Sequence, residues 1–186
     1  MLKKKLFNNK GFTLVEIAIV LVIIGLLIGG ILKGREMIKN AKIKRIVKTA
    51  DELRSTIMSF YDRYGVYPGD ENKRDIPPGD SHNGNGDGKI NTANESKYMF
   101  EDLQKAGFIS GNFDGTNFMQ HVFGGDVYVQ YTTVRGLQKH WIIFKNIPGD
   151  VGRIIDTKYD DGKDYSGSIR ANKDYGNSQI YLYIEL

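Results

Sequence analysis

The chain has 186 residues, with 26 lysines and arginines, 22 aspartates and glutamates, three histidines and no cysteine. The absence of cysteine excludes disulfides and thiolate metal sites. Residues 1–11 carry four lysines and no acid, residues 12–64 carry nine basic and five acidic residues, and residues 65–186 carry thirteen basic and seventeen acidic. The chain after residue 11 is therefore formally neutral, and its bulk charge predicts no nucleic-acid partner.

Residues 12–32 form an apolar segment whose one ionisable side chain is Glu16. The length is that of a helix crossing roughly 30 Å of hydrocarbon, so the segment is predicted to be a single membrane span. A carboxylate in hydrocarbon costs on the order of 2 to 3 kcal/mol and usually has a partner. Residues 1–11 are typical of a targeting leader, and Gly11, which precedes the apolar segment, is the expected processing point.

Behind the span, apolar residues recur at the three-and-four spacing of one helical face. The residues of that face are Ile43, Ile46, Val47, Ala50, Leu53, Ile57, Phe60, Tyr61 and Tyr64. No proline interrupts residues 12–64, which are therefore predicted to form one helix. Its half at 12–32 is apolar all round, and its half at 33–64 is amphipathic.

Residues 65–186 are predicted to form a globular α+β head. A long loop rich in glycine and proline comes first, followed by a short helix with Met99, Phe100 and Leu103 on one face and Gly107 as its stop. Three strand-like segments follow, DVYVQYTTV, KHWIIFK and SQIYLYIEL, with a short helical turn and an acidic loop between the last two. A small antiparallel sheet packed on the amphipathic half of the long helix would bury both apolar faces.

The heptapeptide KGFTLVE, residues 10–16, together with the apolar segment and long helix behind it, resembles the processing site of type IV pilins and type II secretion pseudopilins. The resemblance implies a pilin-like fold and a prepilin peptidase that cleaves after Gly11 on the cytoplasmic side and methylates the new amino terminus, Phe12. It also implies an assembly platform, a single-pass protein of the bacterial inner membrane with its head outside the cytoplasm, and assembly with other subunits into a periplasmic or extracellular filament.

In this family Glu16 would meet the amino-terminal ammonium of a neighbouring subunit. A buried charge that is satisfied in one axial position sets a register among helices that otherwise slide past one another. The alternative is that Glu16 bonds the Phe12 amine of its own chain, as an ordinary carboxylate at a helix start.

The pairs Gly25 and Gly29, then Gly30 and Gly34, have the spacing that allows close helix packing, or are simply lipid-facing glycines. The chain departs from many type IV pilins at Lys33, where those have a proline, and in lacking a disulfide. Residues 33–48 hold seven basic residues and one acid, so charge alone does not fix the orientation of the span. This basic stretch is expected to be a solvated helix face that meets acidic heads of neighbours, with anionic lipid or DNA as the alternatives.

Two loops are candidate calcium sites. In NGNGDGKINTAN, residues Asn83, Asn85, Asp87 and Lys89 follow the spacing of an EF-hand loop, but the final carboxylate, Glu95, comes one residue late and also fits a capping box with Thr92. The second loop holds Asp156, Asp160, Asp161 and Asp164, in the region where similar pseudopilins can hold calcium. A plain Asn/Gly turn and a solvated acidic turn are the respective alternatives.

No catalytic motif is present: the three histidines lack metal-binding spacing, and no serine lies in a nucleophile elbow. The missing motif argues against an enzyme, and the resemblance implies a structural subunit. The alternative is a minor, tip-located subunit whose head loops, chiefly residues 68–94, bind DNA, a surface or a secreted substrate.

Overall fold

The computed structural model describes residues 11–73 and 75–186. The predicted leader therefore lies outside the described residues, except for Gly11. The described chain contains three helices, α1 Leu14–Tyr64, α2 Glu95–Lys105 and α3 Gly149–Tyr159, and five strands, β1 Met119–Gln120, β2 Asp126–Val134, β3 Leu137–Pro148, β4 Ile169–Ala171 and β5 Gln179–Glu185. This confirms the predicted α+β architecture of a long amino-terminal helix and a small antiparallel sheet.

Helix α1 is continuous over 51 residues, as predicted, but begins at Leu14 instead of residue 12. It ends where Gly65 adopts a positive φ of 74° and its N–H reaches the carbonyl of Tyr61. This is the glycine termination of a helix, which costs glycine no steric strain. The chain divides into two compact units, residues up to Ala41 and residues Lys42–Leu186, so the last turns of α1 belong to the same unit as the head.

The sheet is antiparallel throughout, with the order β1-β2-β3-β5-β4. Strands β2 and β3 form a hairpin whose closing pair is Val134 and Leu137. Its two turn residues, Arg135 and Gly136, both have positive φ, as a type I′ turn requires. The predicted alternation along β5 is confirmed, since Ile180, Leu182 and Ile184 are buried, whereas the residues between them are half-buried.

The main core of the head lies between α1, α2, α3 and one face of the sheet. Its members from α1 are Ile43, Ile46, Ala50, Leu53, Ile57 and Phe60, which confirms most of the predicted apolar face. Tyr61 was predicted on that face and is instead exposed. The other sheet face carries a second cluster of Val134, Trp141 and Ile143, partly covered by tyrosines.

Three elements differ from the sequence prediction. Helix α3 has three turns where a single helical turn was predicted, and the short edge strands β1 and β4 were not predicted. With two and three residues, these strands are too short to show an alternating pattern. They form because β2 and β5 each offer an edge to pair with.

Candidate assembly segment and candidate metal sites

The start of α1 is a reciprocal capping arrangement between Thr13 and Glu16. The backbone N–H and the hydroxyl of Thr13 both donate to Glu16 Oε2, each at 2.8 Å, and the N–H of Glu16 donates to Thr13 Oγ1 at 3.2 Å. This is a capping box, in which two otherwise unpaired N–H groups of the first turn are satisfied. The sequence signal T-x-x-E before an apolar run was present in KGFTLVE, and the role of Thr13 was missed.

Residues 11–33 are exposed in the described chain, including every side chain of the apolar segment. Within residues 11–73 and 75–186, α1 is the one helix long and apolar enough to cross a membrane, and its most apolar window is wholly unburied. A Cβ added at Gly25, Gly29, Gly30 or Gly34 would meet no atom within 4 Å beyond the nearby backbone of its own helix. Packing within the single chain therefore does not require glycine at these four positions.

The basic stretch at 33–48 forms exposed ion pairs on its own helix. Lys33 Nζ lies 2.9 Å from Glu36 Oε2, and Lys48 Nζ lies 3.4 Å from Glu52 Oε1. Exposed pairs of this kind contribute about 0 to 1 kcal/mol each. Lys42 lies over the ring of Phe123 in the head.

The first predicted calcium loop is organised by carboxylates that accept backbone N–H groups. Glu95, which is buried, accepts from Asn85 at 3.1 Å, from Asn91 at 2.9 Å and from Thr92 at 2.8 Å. The N–H of Glu95 donates to Thr92 Oγ1 at 3.1 Å, which confirms the predicted capping box. The oxygens that calcium would take from Asn85, Asp87 and Glu95 thus all have N–H donors.

A residue outside the predicted motif completes this loop. The carboxylate of Asp70 accepts from the N–H groups of Asp87 and Gly88, at 3.1 and 2.8 Å. Sequence reasoning missed Asp70 because it lies 17 and 18 positions before its partners, and no local period links them. Calcium binding by Asn83, Asn85, Asp87, Lys89 and Glu95 stays a prediction.

The second predicted loop is likewise hydrogen-bonded. Asp156 accepts from the hydroxyl of Tyr175 at 2.6 Å and from the N–H of Gly162 at 2.9 Å. Asp160 accepts from the N–H of Ile169 at 2.8 Å, and Asp161 accepts from the N–H of Lys163 at 2.9 Å. One carboxylate oxygen from each of the three aspartates lies within 4.8 Å of the others, so a cation could bridge them, and this too stays a prediction.

A third carboxylate cluster was not predicted. Glu71 and Asp80 lie on the loop after α1, and Asp102 lies on α2, with one oxygen of each within 4.8 Å of the others. Glu71 and Asp102 are 1 % and 0 % exposed. Burial is the main cause that raises the pKa of each of the three carboxyls. The sequence gives no signal for this cluster, because its members are 9 and 22 residues apart on a loop without periodicity.

The three histidines serve different local roles and do not come together. His121 Nε2 donates to the carbonyl of Lys145 at 2.6 Å, and His140 Nε2 accepts the N–H of Ile90 at 3.1 Å. His82 bonds Glu101 at 2.5 Å, and the adjacent Ser81 hydroxyl donates to the same carboxylate at 2.6 Å. The Ser81 hydroxyl lies 3.4 Å from His82 Nδ1, but this nitrogen has its short bond to Glu101 and the hydroxyl donates to the same carboxylate, so the trio lacks the arrangement of an activated nucleophile.

A long amino-terminal helix whose first part is exposed and apolar, joined to a five-stranded antiparallel α+β head, defines a pilin-like architecture. Residues 6–32 match the model of the prokaryotic N-terminal methylation motif, which is the signature of type IV pilins and pseudopilins. The match covers residues 6–32 alone, and together with the apolar first part of α1 it supports a pilin-like amino terminus. Searches of curated proteins and of solved structures found no match to the chain.

Proposed function

We propose that the chain is a structural subunit of a type IV pilus or a type II secretion pseudopilus. In this proposal a prepilin peptidase cleaves after Gly11 and methylates Phe12. The subunit then leaves the inner membrane through an assembly platform, with its head outside the cytoplasm. The methylation motif at residues 6–32 supports this processing.

The observation that carries the assembly role is that Glu16 has no oppositely charged partner among the described residues of the single chain. In the described residues its carboxylate receives hydrogen bonds from Thr13 alone, at the start of a helix whose side chains to residue 33 are exposed. Burying this segment among other helices places the carboxylate in a medium where an unpaired charge costs several kcal/mol. The free amine that cleavage creates at Phe12 of a neighbouring subunit is the ammonium that would satisfy it.

The capping box offers a way to separate two roles of Glu16. Glutamine is also accepted at this position of a capping box, so Glu16→Gln retains the cap and removes the charge. Thr13→Ala removes the hydroxyl of the cap and retains the charge. The two variants therefore test the cap and the intermolecular charge pair independently.

The test expresses both variants in cells that make the filament and measures cleavage by mass spectrometry and incorporation by immunoblotting sheared filaments. We expect both chains to be cleaved, Thr13→Ala to be incorporated, and Glu16→Gln to be strongly depleted from filaments. Normal incorporation of Glu16→Gln would refute the charge-pair role. The copy number of the wild-type chain in the same sheared fraction separates a main subunit from a rare one at the tip.

A further inference from the structure

The loop after α1 and helix α2 meet at three carboxylates. Glu71 and Asp80 belong to the loop and Asp102 to α2, and one oxygen of each lies within 4.8 Å of the others. The cluster therefore brings together a loop and a helix of the head that are distant in sequence.

When all three carboxyls are ionised, four oxygen atoms of this cluster are buried without a hydrogen-bond donor in the described part of the chain. They are Glu71 Oε1, Glu71 Oε2, Asp80 Oδ2 and Asp102 Oδ1. Glu71 is 1 % exposed, so neither oxygen of its carboxylate is compensated by bulk solvent. An unpartnered buried carboxylate is strongly unfavourable, which makes this arrangement unusual in a native fold.

The other buried acids of the head are satisfied. Asp70 and Glu95 accept backbone N–H groups, Glu101 accepts from Ser81, and Asp156 accepts from Tyr175 and Gly162. In this cluster Asp102 Oδ2 accepts the N–H of Gly69 at 2.5 Å and Asp80 Oδ1 accepts the N–H of His82 at 3.1 Å, whereas the four oxygens named above have no such donor among residues 11–73 and 75–186. The same fold thus supplies donors to buried carboxylates elsewhere and leaves these oxygens facing one another.

We propose that Glu71, Asp80 and Asp102 bind a divalent cation, with calcium as the best fit, that ties the loop after α1 to α2. Calcium takes carboxylate oxygens at about 2.3 to 2.6 Å, so three oxygens that lie within 4.8 Å of one another can share one ion. Magnesium usually keeps several waters and takes one or two carboxylates, whereas three protein carboxylates are more typical of a calcium site. A 2+ charge offsets most of the three negative charges.

The site is distinct from both loops that the sequence singled out, since it shares no residue with them. It has a structural consequence for the first loop, because Glu71 follows Asp70 directly, and Asp70 holds the N–H groups of Asp87 and Gly88. An ion bound to Glu71 would hold the backbone next to Asp70 in place, and Asp70 in turn positions the glycine-rich segment around Asp87 and Gly88.

The test uses the full-length chain in detergent, treated with EDTA and dialysed. Bound calcium is counted by equilibrium dialysis, and the thermal unfolding midpoint is followed as CaCl₂ is added. We expect the wild-type midpoint to rise with calcium. Glu71→Gln and Asp102→Asn should each bind one ion fewer per chain, or bind it at least about tenfold more weakly, because a charged ligand is lost.

The same variants should be at least as stable as the wild type in EDTA, because they relieve repulsion between buried like charges. Asp80→Asn, at the half-buried position, is a further variant with the same expectation. Asp87→Asn and Asp161→Asn, in the two predicted loops, are the matched controls and should retain this ion. The proposal is overturned if the wild type binds no calcium, which would leave protons to neutralise the cluster. It is also overturned if the ion is lost from a control and kept by Glu71→Gln and Asp102→Asn.

Discussion

The hydroxyl of Tyr175 donates a 2.6 Å hydrogen bond to Asp156 Oδ2, and both side chains are buried. Asp156 was predicted in the acidic loop but lies in α3, and Tyr175 lies between β4 and β5, so this bond links α3 to the β4–β5 connection. Burial, followed by the neighbouring carboxylate of Asp156, raises the pKa of Tyr175, so the phenol stays a donor at physiological pH.

Replacement of Tyr175 by phenylalanine is therefore expected to destabilise the head. A hydrogen bond to a charged group is worth about 1.5 to 3 kcal/mol, and its loss leaves a buried carboxylate oxygen without that donor. We expect the unfolding free energy from urea titration to fall by about 2 kcal/mol. Tyr165→Phe, at a side chain that is 57 % exposed, is the control and should change it little.

Glu95 is expected to be the most sensitive residue of the Asn/Gly loop. Its buried carboxylate accepts three backbone N–H groups, and Glu95→Ala leaves all three without that acceptor. We predict a loss of about 3 kcal/mol in urea unfolding, while Glu95→Gln, which keeps one acceptor oxygen, should lose less. Equal stability of the alanine variant and the wild type would contradict this description of the loop.

His121 is expected to make the head less stable in acid. Burial lowers the pKa of this imidazole, whose Nε2 donates to the carbonyl of Lys145 and whose Nδ1 accepts the N–H of Phe123. Because the folded-state pKa is lowered, the unfolded chain binds this proton first as the pH falls through about 6.5, and stability decreases. The urea midpoint of the wild type should fall relative to that of His121→Gln between pH 7.5 and 5. A difference that does not change with pH would show that His121 does not titrate in this way.

Gly29 is expected to matter for assembly and not for the single chain. A Cβ at Gly29 meets no atom within 4 Å beyond the nearby backbone of its own helix, whereas a neighbouring helix packed on the Gly25 and Gly29 pair would meet it. Gly29→Val should be membrane-inserted and cleaved normally but recovered less in sheared filaments. Ile24→Val is the matched control, because at about 100° per residue Ile24 lies away from both glycine pairs. Equal recovery of the two variants would favour lipid-facing glycines.

The regular elements could be predicted because their residues repeat at a fixed period. The buried face of α1 and the alternation along β5 follow the 3.6- and 2-residue periods that solvent exclusion imposes. The hairpin of β2 and β3 shows the same rule, since Val127, Val129, Ile142 and Phe144 all face the main core. The motif around Gly11 could also be found from the sequence, because it is contained in seven consecutive residues.

The loops could not be predicted because their order comes from single carboxylates that reach across the chain. Asp70 holds N–H groups at positions 87 and 88, and Glu71 meets Asp102, with no repeated spacing to reveal either pairing. The calcium-like spacing of Asn83 to Lys89 was visible, but the same spacing also suits Asx turns, in which side-chain oxygens bond the backbone two residues on. Residue types alone do not separate these two uses.

The central claim is that this chain is a precursor that becomes a filament subunit only after cleavage before Phe12. Intact-mass spectrometry of the protein recovered from sheared surface or periplasmic filaments tests it most directly. The account predicts a single species that begins at Phe12, carries one added methyl group and lacks residues 1–11. Recovery of the full-length, unmethylated chain, confined to the membrane fraction and absent from filaments, would contradict it.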